Sequence, residues 1–231
     1  MRELVLLFHG IGEPHPLVDW EEMPFWLSRA FLTRLLDDVL ELQKSQEINV
    51  RITFDDGNAS DVHLALPELL RRGLSAEFFI CAGRVGKKCY LDQSMINELL
   101  AEGMRIGSHG MDHRNWRTLN SVELDVEIVD ARRQLEDLTQ RPVTKVAIPF
   151  GLYDRRVLRR LHRESLECIY TCDRGITQSI AKTKPRESLS ADMQEEDLIS
   201  KLMSPPVRLR TRRVIAGLYK RMRNSPRVRV P

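Results

Sequence analysis

The sequence predicts an α/β fold, a (β/α) barrel, from three observations. Short β-branched or apolar runs alternate with longer stretches whose apolar residues recur at helical spacing, the rhythm of parallel strands joined by crossover helices. Gly73 and Gly103 stand where helices 61–72 and 92–101 should stop. The polar groups suited to chemistry fall at the carboxyl ends of separate strands: His9, Asp55 with Asp56, His109 with His113, and the turn Pro149-Phe150-Gly151. In a barrel that is the face where active sites assemble. An open doubly wound sheet would also gather them on one edge, but stretches so far apart in the chain converge more readily in a barrel.

The elements follow in order. Residues 3–8 are an apolar first strand that ends in His9-Gly10. A loop containing Pro14 and Pro16 leads to a long amphipathic helix over 25–42, with Phe25, Leu27, Phe31, Leu35, Leu36, Val39 and Leu42 on one face. Residues 49–54 alternate polar and β-branched side chains as a strand does. Helix 61–72, strand 76–81, helix 92–101 and strand 104–106 come next. Ser121 is placed to cap a helix over 122–138, with acids in its first turn. Strand 145–148, helix 155–164 capped by Asp154, and strand 167–171 complete the alternation. Residues 175–185 read as loop and 192–203 as a helix, and Pro205-Pro206 marks a break. This divides the chain into a domain over 1–203 and a tail over 204–231.

Two stretches carry the chemistry. Thr53-Phe54-Asp55-Asp56-Gly57 ends a strand in two adjacent carboxylates. Neighbouring side chains on a strand point opposite ways, so one acid can bind a metal while the other reaches a water. Asp-Gly is also a common surface turn. Gly107-Ser108-His109-Gly110-Met111-Asp112-His113 presents two histidines at a spacing that, on a helical turn, stacks both rings on one face. Two solvent-facing histidines at a helix start would look the same. Together with one carboxylate they form a ligand set with open positions, the pattern of a catalytic metal site.

Composition sets the frame. At 231 residues, 30% charged and 42% hydrophobic, the chain is long enough for one domain with a substantial core. Cys81, Cys89, Cys168 and Cys172 lack the paired spacing of a zinc knuckle and read as buried thiols. The amino terminus carries Glu3 in a short apolar run, unlike a signal peptide, and no run approaches the ~20 apolar residues of a membrane span. The expected location is cytoplasmic, with membrane association through the tail as an extension of it.

From Val207 onward there is no acid, while Arg208, Arg210, Arg212, Arg213, Lys220, Arg221, Arg223, Arg227 and Arg229 supply a strong positive charge. Val214, Ile215, Leu218, Tyr219 and Met222 recur at roughly helical spacing. The tail is read either as a solvated basic extension or as an amphipathic helix on an anionic membrane surface. With one aromatic and no recognisable module, nucleic acid is not an expected partner.

Taken in order, Thr53-Phe54-Asp55-Asp56-Gly57, His109-Gly110-Met111-Asp112-His113 and Ala147-Ile148-Pro149-Phe150-Gly151 resemble the motifs of the polysaccharide deacetylases with a NodB-homology domain, carbohydrate esterase family 4. The resemblance covers roughly residues 3–190. It implies a distorted (β/α) barrel of about seven parallel strands, and metal-dependent removal of N- or O-acetyl groups from a glycan or glycan precursor. Asp55 then resembles the general base, and Asp56, His109 and His113 the ligands of one divalent ion (zinc, or nickel, cobalt or manganese). The turn of Pro149, Phe150 and Gly151 resembles the element whose backbone N–H, here that of Phe150, holds the oxyanion. Lys184-Pro185-Arg186 is similar to a late Pro-Arg element, which makes Arg186 an accessory candidate.

The chain departs from that pattern in three places. Ala147 stands where many members have an arginine that orients the base, and Gly110 stands where Ser or Thr is usual. Many members carry a late histidine as general acid, yet no histidine follows His162 here; His9, at a strand end, is the candidate substitute. A second reading is therefore a catalytically impaired relative that binds glycan or scaffolds other proteins. The intact Asp55 favours catalysis, because a binder has little need of a base beside a metal ligand.

Overall fold

The computed structural model describes residues 1–18, 20–44, 48–193, 198–204 and 207–223. Among these, nine strands form one sheet: β1 (Arg2–Phe8), β2 (Ile48–Asp56), β3 (Ala76–Ile80), β4 (Arg105–Ser108), β5 (Lys145–Ala147), β6 (Cys168–Thr171), β7 (Thr177–Gln178), β8 (Thr183–Pro185) and β9 (Glu187–Ser188). From β1 to β6 every neighbour pair is parallel. β8 adds to β6 in parallel, β9 adds to β1 in parallel, and β7 is antiparallel to β1. Only Arg186 separates β8 from β9, so the run 183–188 spans from one edge of the sheet to the other and nearly closes it. Counted that way, the barrel has seven parallel staves, the last broken at Arg186.

Alternation along the strands sorts side chains between two layers. Leu4, Leu6, Phe8, Val50, Ile52, Phe54, Ala76, Phe78 and Ile80 point outward into the core beneath the helices. Val5, Phe79, Ala147, Cys168 and Tyr170 fill the barrel interior. The interior is polar at its amino-terminal end. There Arg51 binds Glu3 at 2.9 Å and Glu77 at 2.5 Å, Lys145 also pairs with Glu77, Lys184 pairs with Glu3, and the Tyr170 hydroxyl donates to Glu77 at 2.7 Å. A polar face on β2 thus packs inward, against paired charges, rather than outward to water.

The helices are α1 (Arg29–Lys44), α2 (Leu66–Arg71), α3 (Gln93–Ala101), α4 (Ser121–Asp125), α5 (Ala131–Thr139), α6 (Arg155–Leu161), α7 (Leu198–Met203) and α8 (Val207–Met222). Several expectations are corrected. The first helix starts at Arg29, because Leu27 pairs with Ile11 in a bridge and donates its N–H to Gly10. One wide π turn, Asp61–Ala65, precedes α2, and another, Val126–Asp130, joins α4 to α5. Asn120, not Ser121, caps α4, in a reciprocal box with Glu123. The stretch 175–185 contains β7 and β8, whose two or three residues are too short for a periodic signal. Of the helix expected over 192–203, Leu198–Met203 is helical and 194–197 lie outside the described residues, as do Pro205, Pro206, Arg227 and Arg229. The expected cap by Asp154 forms, its side chain accepting the Val157 N–H, and Asp92 caps α3 in the same way by accepting from Met95. All four cysteines are free; Cys81 and Cys168 are buried as expected, whereas Cys89 and Cys172 are only partly so. No helix among the described residues is long and apolar enough to cross a membrane.

Candidate active site and metal centre

The site lies at the carboxyl ends of β1 to β6. Asp55 is the last inward-facing residue of β2, and strand alternation would turn Asp56 away from it. Asp56 instead adopts φ +76°, a left-handed conformation that swings its carboxylate back towards the barrel mouth. Both acids are buried, at 1% exposure each. His109 follows β4 directly and is buried as well. β4 and β5 share a single registered pair, Ser108 with Val146, and the contact of His109 Nδ1 with the Ala147 carbonyl (2.9 Å) bridges the same seam. If Nδ1 carries the proton, as that contact requires, Nε2 is left to accept, facing Asp55 Oδ2 at 3.5 Å and Asp56 Oδ1 at 3.8 Å.

His113 arrives differently from the expected helical turn. Residues 109–113 form no helix, and His113 has φ +54°. The loop is pinned by Glu127, which accepts from the N–H groups of Met111 (3.0 Å) and Asp112 (3.2 Å) and from the Trp116 indole (3.1 Å). His113 Nε2 then lies 3.4 Å from Asp56 Oδ1, and the ligand atoms of Asp56, His109 and His113 all fall within 4.8 Å of one another. These residues fit a metal ion. Both Asp56 carboxylate oxygens are buried without a hydrogen-bond partner, an arrangement that a cation relieves. Burial also holds the His109 ring neutral by pushing its pKa down to about 3, as a metal ligand must be.

Asp55 has another tie. Arg186, fully buried at the break between β8 and β9, clamps both of its oxygens at 2.6 Å and lies over the Phe79 and Tyr170 rings. Burial alone would raise the Asp55 pKa; Arg186, with help from His109, outweighs it and holds the group at about 2. Ala147 belongs to the same inner cluster as Phe79 and Tyr170. In this chain the cation beside Asp55 therefore comes from Arg186, on a different stave from Ala147.

His9 is half-buried at the end of β1, 4.9 Å from the Phe25 ring, with a buried Nδ1 that has no partner. Burial lowers its pKa, against the opposing pull of Asp56 and Asp55. In the turn, Phe150 has φ +56°, is half exposed, and sets its ring 4.3 Å from His113, while Pro149 and Gly151 are buried. Gly151 has φ +59°, and a Cβ there would meet Cys172 Cβ at 2.7 Å. All nine residues singled out from the sequence are therefore at or against this end of the barrel.

Three residues were missed. Glu22 Oε1 lies 3.7 Å from His113 Nδ1 and accepts from Arg84 at 2.8 Å; Arg84 in turn lies 3.5 Å from Asp56 Oδ1. Burial, then the nearby Asp56, raises the Glu22 pKa. Glu22 sits in an irregular loop with no periodicity to expose it. Arg84 had a signal, since it follows β3 at the face where sites assemble. Glu127 had one too: it lies on the apolar stripe of Leu124, Ile128 and Ala131, where an acid calls for a partner.

A sequence model of the family described as polysaccharide deacetylase matches residues 43–169, more than half of the chain, and takes in all three motifs but not the late Arg186. The chain belongs to the polysaccharide deacetylase family. Relatives include Bacillus subtilis YxkH, 24% identical over 180 residues (74% of this chain and 64% of that protein). The chitooligosaccharide deacetylase of Azorhizobium caulinodans is 29% identical over 119 residues, 51% of this chain and 55% of that protein. The chain thus spans less than two thirds of the length of these relatives. Among solved structures, the Streptococcus pyogenes deacetylase PplD superposes with a TM-score of 0.71 at 19% identity, covering 89% of this chain and 99% of that one. The Bacillus cereus polysaccharide deacetylase BC0361 gives 0.71 at 18% identity, covering 88% and 69%. At these identities the structures establish the shared fold: a nearly closed, mostly parallel α/β barrel.

Proposed function

We propose that the protein is a metal-dependent hydrolase that removes an acetyl group from an N-acetylated or O-acetylated sugar. The observation that carries this is the pairing of a three-ligand cluster, Asp56, His109 and His113, with a second carboxylate, Asp55, clamped beside it by Arg186. A metal-binding scaffold has no need of the second acid; a hydrolase needs it as a base. Relatives named as chitooligosaccharide and peptidoglycan-N-acetylglucosamine deacetylases support an N-acetylglucosamine-containing substrate.

A divalent ion bound by Asp56, His109 and His113 would polarise the acetyl carbonyl and lower the pKa of a water from 15.7 towards roughly 7; zinc, nickel, cobalt and manganese all suit such ligands. Asp55 takes the proton as the water oxygen bonds to the carbonyl carbon, and Arg186 keeps Asp55 ionised and fixed in direction. The Phe150 N–H holds the developing oxyanion, a donor worth about 2.7–4 kcal/mol in comparable sites. The carbon–nitrogen bond breaks as the leaving amine takes up the proton that Asp55 accepted from the water, and His9, at the end of β1 with an unpartnered Nδ1, is the candidate to relay it. Acetate and the free amino sugar leave.

The test is acetate release from N-acetylated chitooligosaccharides and peptidoglycan fragments, with each divalent metal added in turn. Wild type should turn over, Asp55→Asn should lose at least about a hundredfold in kcat, and His113→Ala should lose both activity and bound metal. Equal rates in all three proteins would refute the assignment. Full metal occupancy without acetate release across the substrates would favour the glycan-binding reading.

A further inference from the structure

We propose that α8 is a membrane-docking helix that lays its apolar stripe on a lipid surface carrying anionic headgroups. Ile215, Leu218, Tyr219 and Met222 recur at the i, i+3, i+4, i+7 spacing of a single helical face, and they are 60%, 52%, 65% and 74% exposed. A scattered exposed apolar residue is ordinary, but four on one stripe form a patch with a use. The charge around it identifies the partner. Arg212 and Arg221 are exposed on the same helix, no acid occurs from Val207 onward, and a cavity beside the helix joins Leu218 and Ile176 to Arg2, Arg174, Arg213 and Arg221. Apolar stripe and basic flanks together match the interface of an anionic bilayer, where the stripe enters the acyl boundary and the arginines meet the headgroups.

The helix is also fixed in place. Lys220 binds Asp173 at 2.7 Å and the Gly151 carbonyl at 3.2 Å, Arg213 binds Glu187 at 2.8 Å, and the Arg223 carbonyl accepts the Arg155 N–H at 3.1 Å. Gly151 belongs to the turn at the candidate active site and Glu187 to the stave that carries Arg186. These contacts use the face of α8 opposite the stripe, so the stripe is held facing out from the barrel. The docking itself does not depend on the chemistry assigned to the site.

The experiment is co-sedimentation of the full chain with vesicles of phosphatidylcholine mixed with phosphatidylglycerol, and with vesicles of phosphatidylcholine alone. Wild type should bind the mixed vesicles, release as salt rises, and bind pure phosphatidylcholine far less. Arg212→Gln and Arg221→Gln should each lower partitioning about fivefold, and Ile215→Ser with Met222→Ser by at least about tenfold. These side chains are exposed, so unchanged thermal melts would confirm that each variant is folded. Absence of binding by wild type, equal binding to both vesicles, or binding indifferent to the substitutions would overturn the proposal. So would a concentration-dependent dimer that the Ile215 and Met222 substitutions dissolve in a protein that ignores vesicles, which would assign the face to a second copy of the chain.

Discussion

Arg186 holds Asp55 by both carboxylate oxygens at 2.6 Å across 131 residues of chain, with neither group open to solvent. The arginine stands at the one position where the last stave passes from β6 to β1, so the stave that closes the barrel also fixes the acid at its mouth. Arg186→Ala should strand a buried carboxylate and destabilise the fold by about 3–5 kcal/mol. Arg186→Lys keeps the charge but not the fork, so it should fold better than the alanine variant while kcat stays well below wild type. Chemical denaturation paired with acetate-release kinetics on both variants separates the two effects; a lysine variant with wild-type kcat would contradict the positioning role.

Glu22 should govern metal affinity rather than fold. Its carboxylate faces His113 Nδ1 on the side away from Asp56, the place from which an outer carboxylate orients a ligating imidazole. Glu22→Gln is expected to weaken metal binding about 10–100-fold. Titration calorimetry measures this directly, and Glu22→Asp should recover part of the loss.

Gly110 is committed to glycine. It has φ +85°, and a Cβ would lie 2.4 Å from Glu127 Oε2, the oxygen that holds the Met111 N–H and the Trp116 indole. Gly110→Ser should therefore cost about 1–3 kcal/mol in stability and lower metal affinity by displacing His113. Thermal melts with and without added zinc report both, and a serine variant with an unchanged melt would argue against the clash. The departure from the usual Ser or Thr thus has a local cause in Glu127.

The charge cluster at the closed end of the barrel predicts acid sensitivity. Burial by itself would raise the Glu77 pKa, but the charges of Lys145 and Arg51, with hydrogen bonds from Lys145 and Tyr170, outweigh it and leave it lowered from 4.5. A group depressed in the folded state contributes stability that is present above its unfolded pKa and is lost as pH falls through the folded one. Wild type should lose stability below about pH 4.5 in part through Glu77. Glu77→Gln should be less stable at neutral pH, by about 1–3 kcal/mol, because Lys145 loses its carboxylate while Arg51 keeps Glu3, and should show a shallower acid dependence. Urea titrations at several pH values would reveal it, and parallel pH dependences in the two proteins would rule it out.

Much of the site was legible because strand ends are legible. Asp55, His109 and Phe150 each follow a run whose pattern marks it as a strand, and the family motifs give those runs an order. Reading failed where the deciding contact was distant or irregular. Strands of two or three residues, β7 to β9, carry no measurable period, so β7 and β8 read as loop and the stave bearing Arg186 was not read as a strand. The histidine spacing suggested a helical turn, but Glu127, fourteen residues past His113, shapes that segment by accepting its N–H groups.

By itself the sequence determined the β/α alternation, the order of the motifs and the residue types that meet a cation, because side-chain periodicity and local turn chemistry are properties of neighbouring residues. Tertiary structure alone decided which way a polar strand face points, which cation steadies Asp55, and what stands behind His113. Those depend on what packs across the barrel. A pattern such as that of residues 49–54 describes a face without saying whether water or Glu3 and Glu77 lie opposite it.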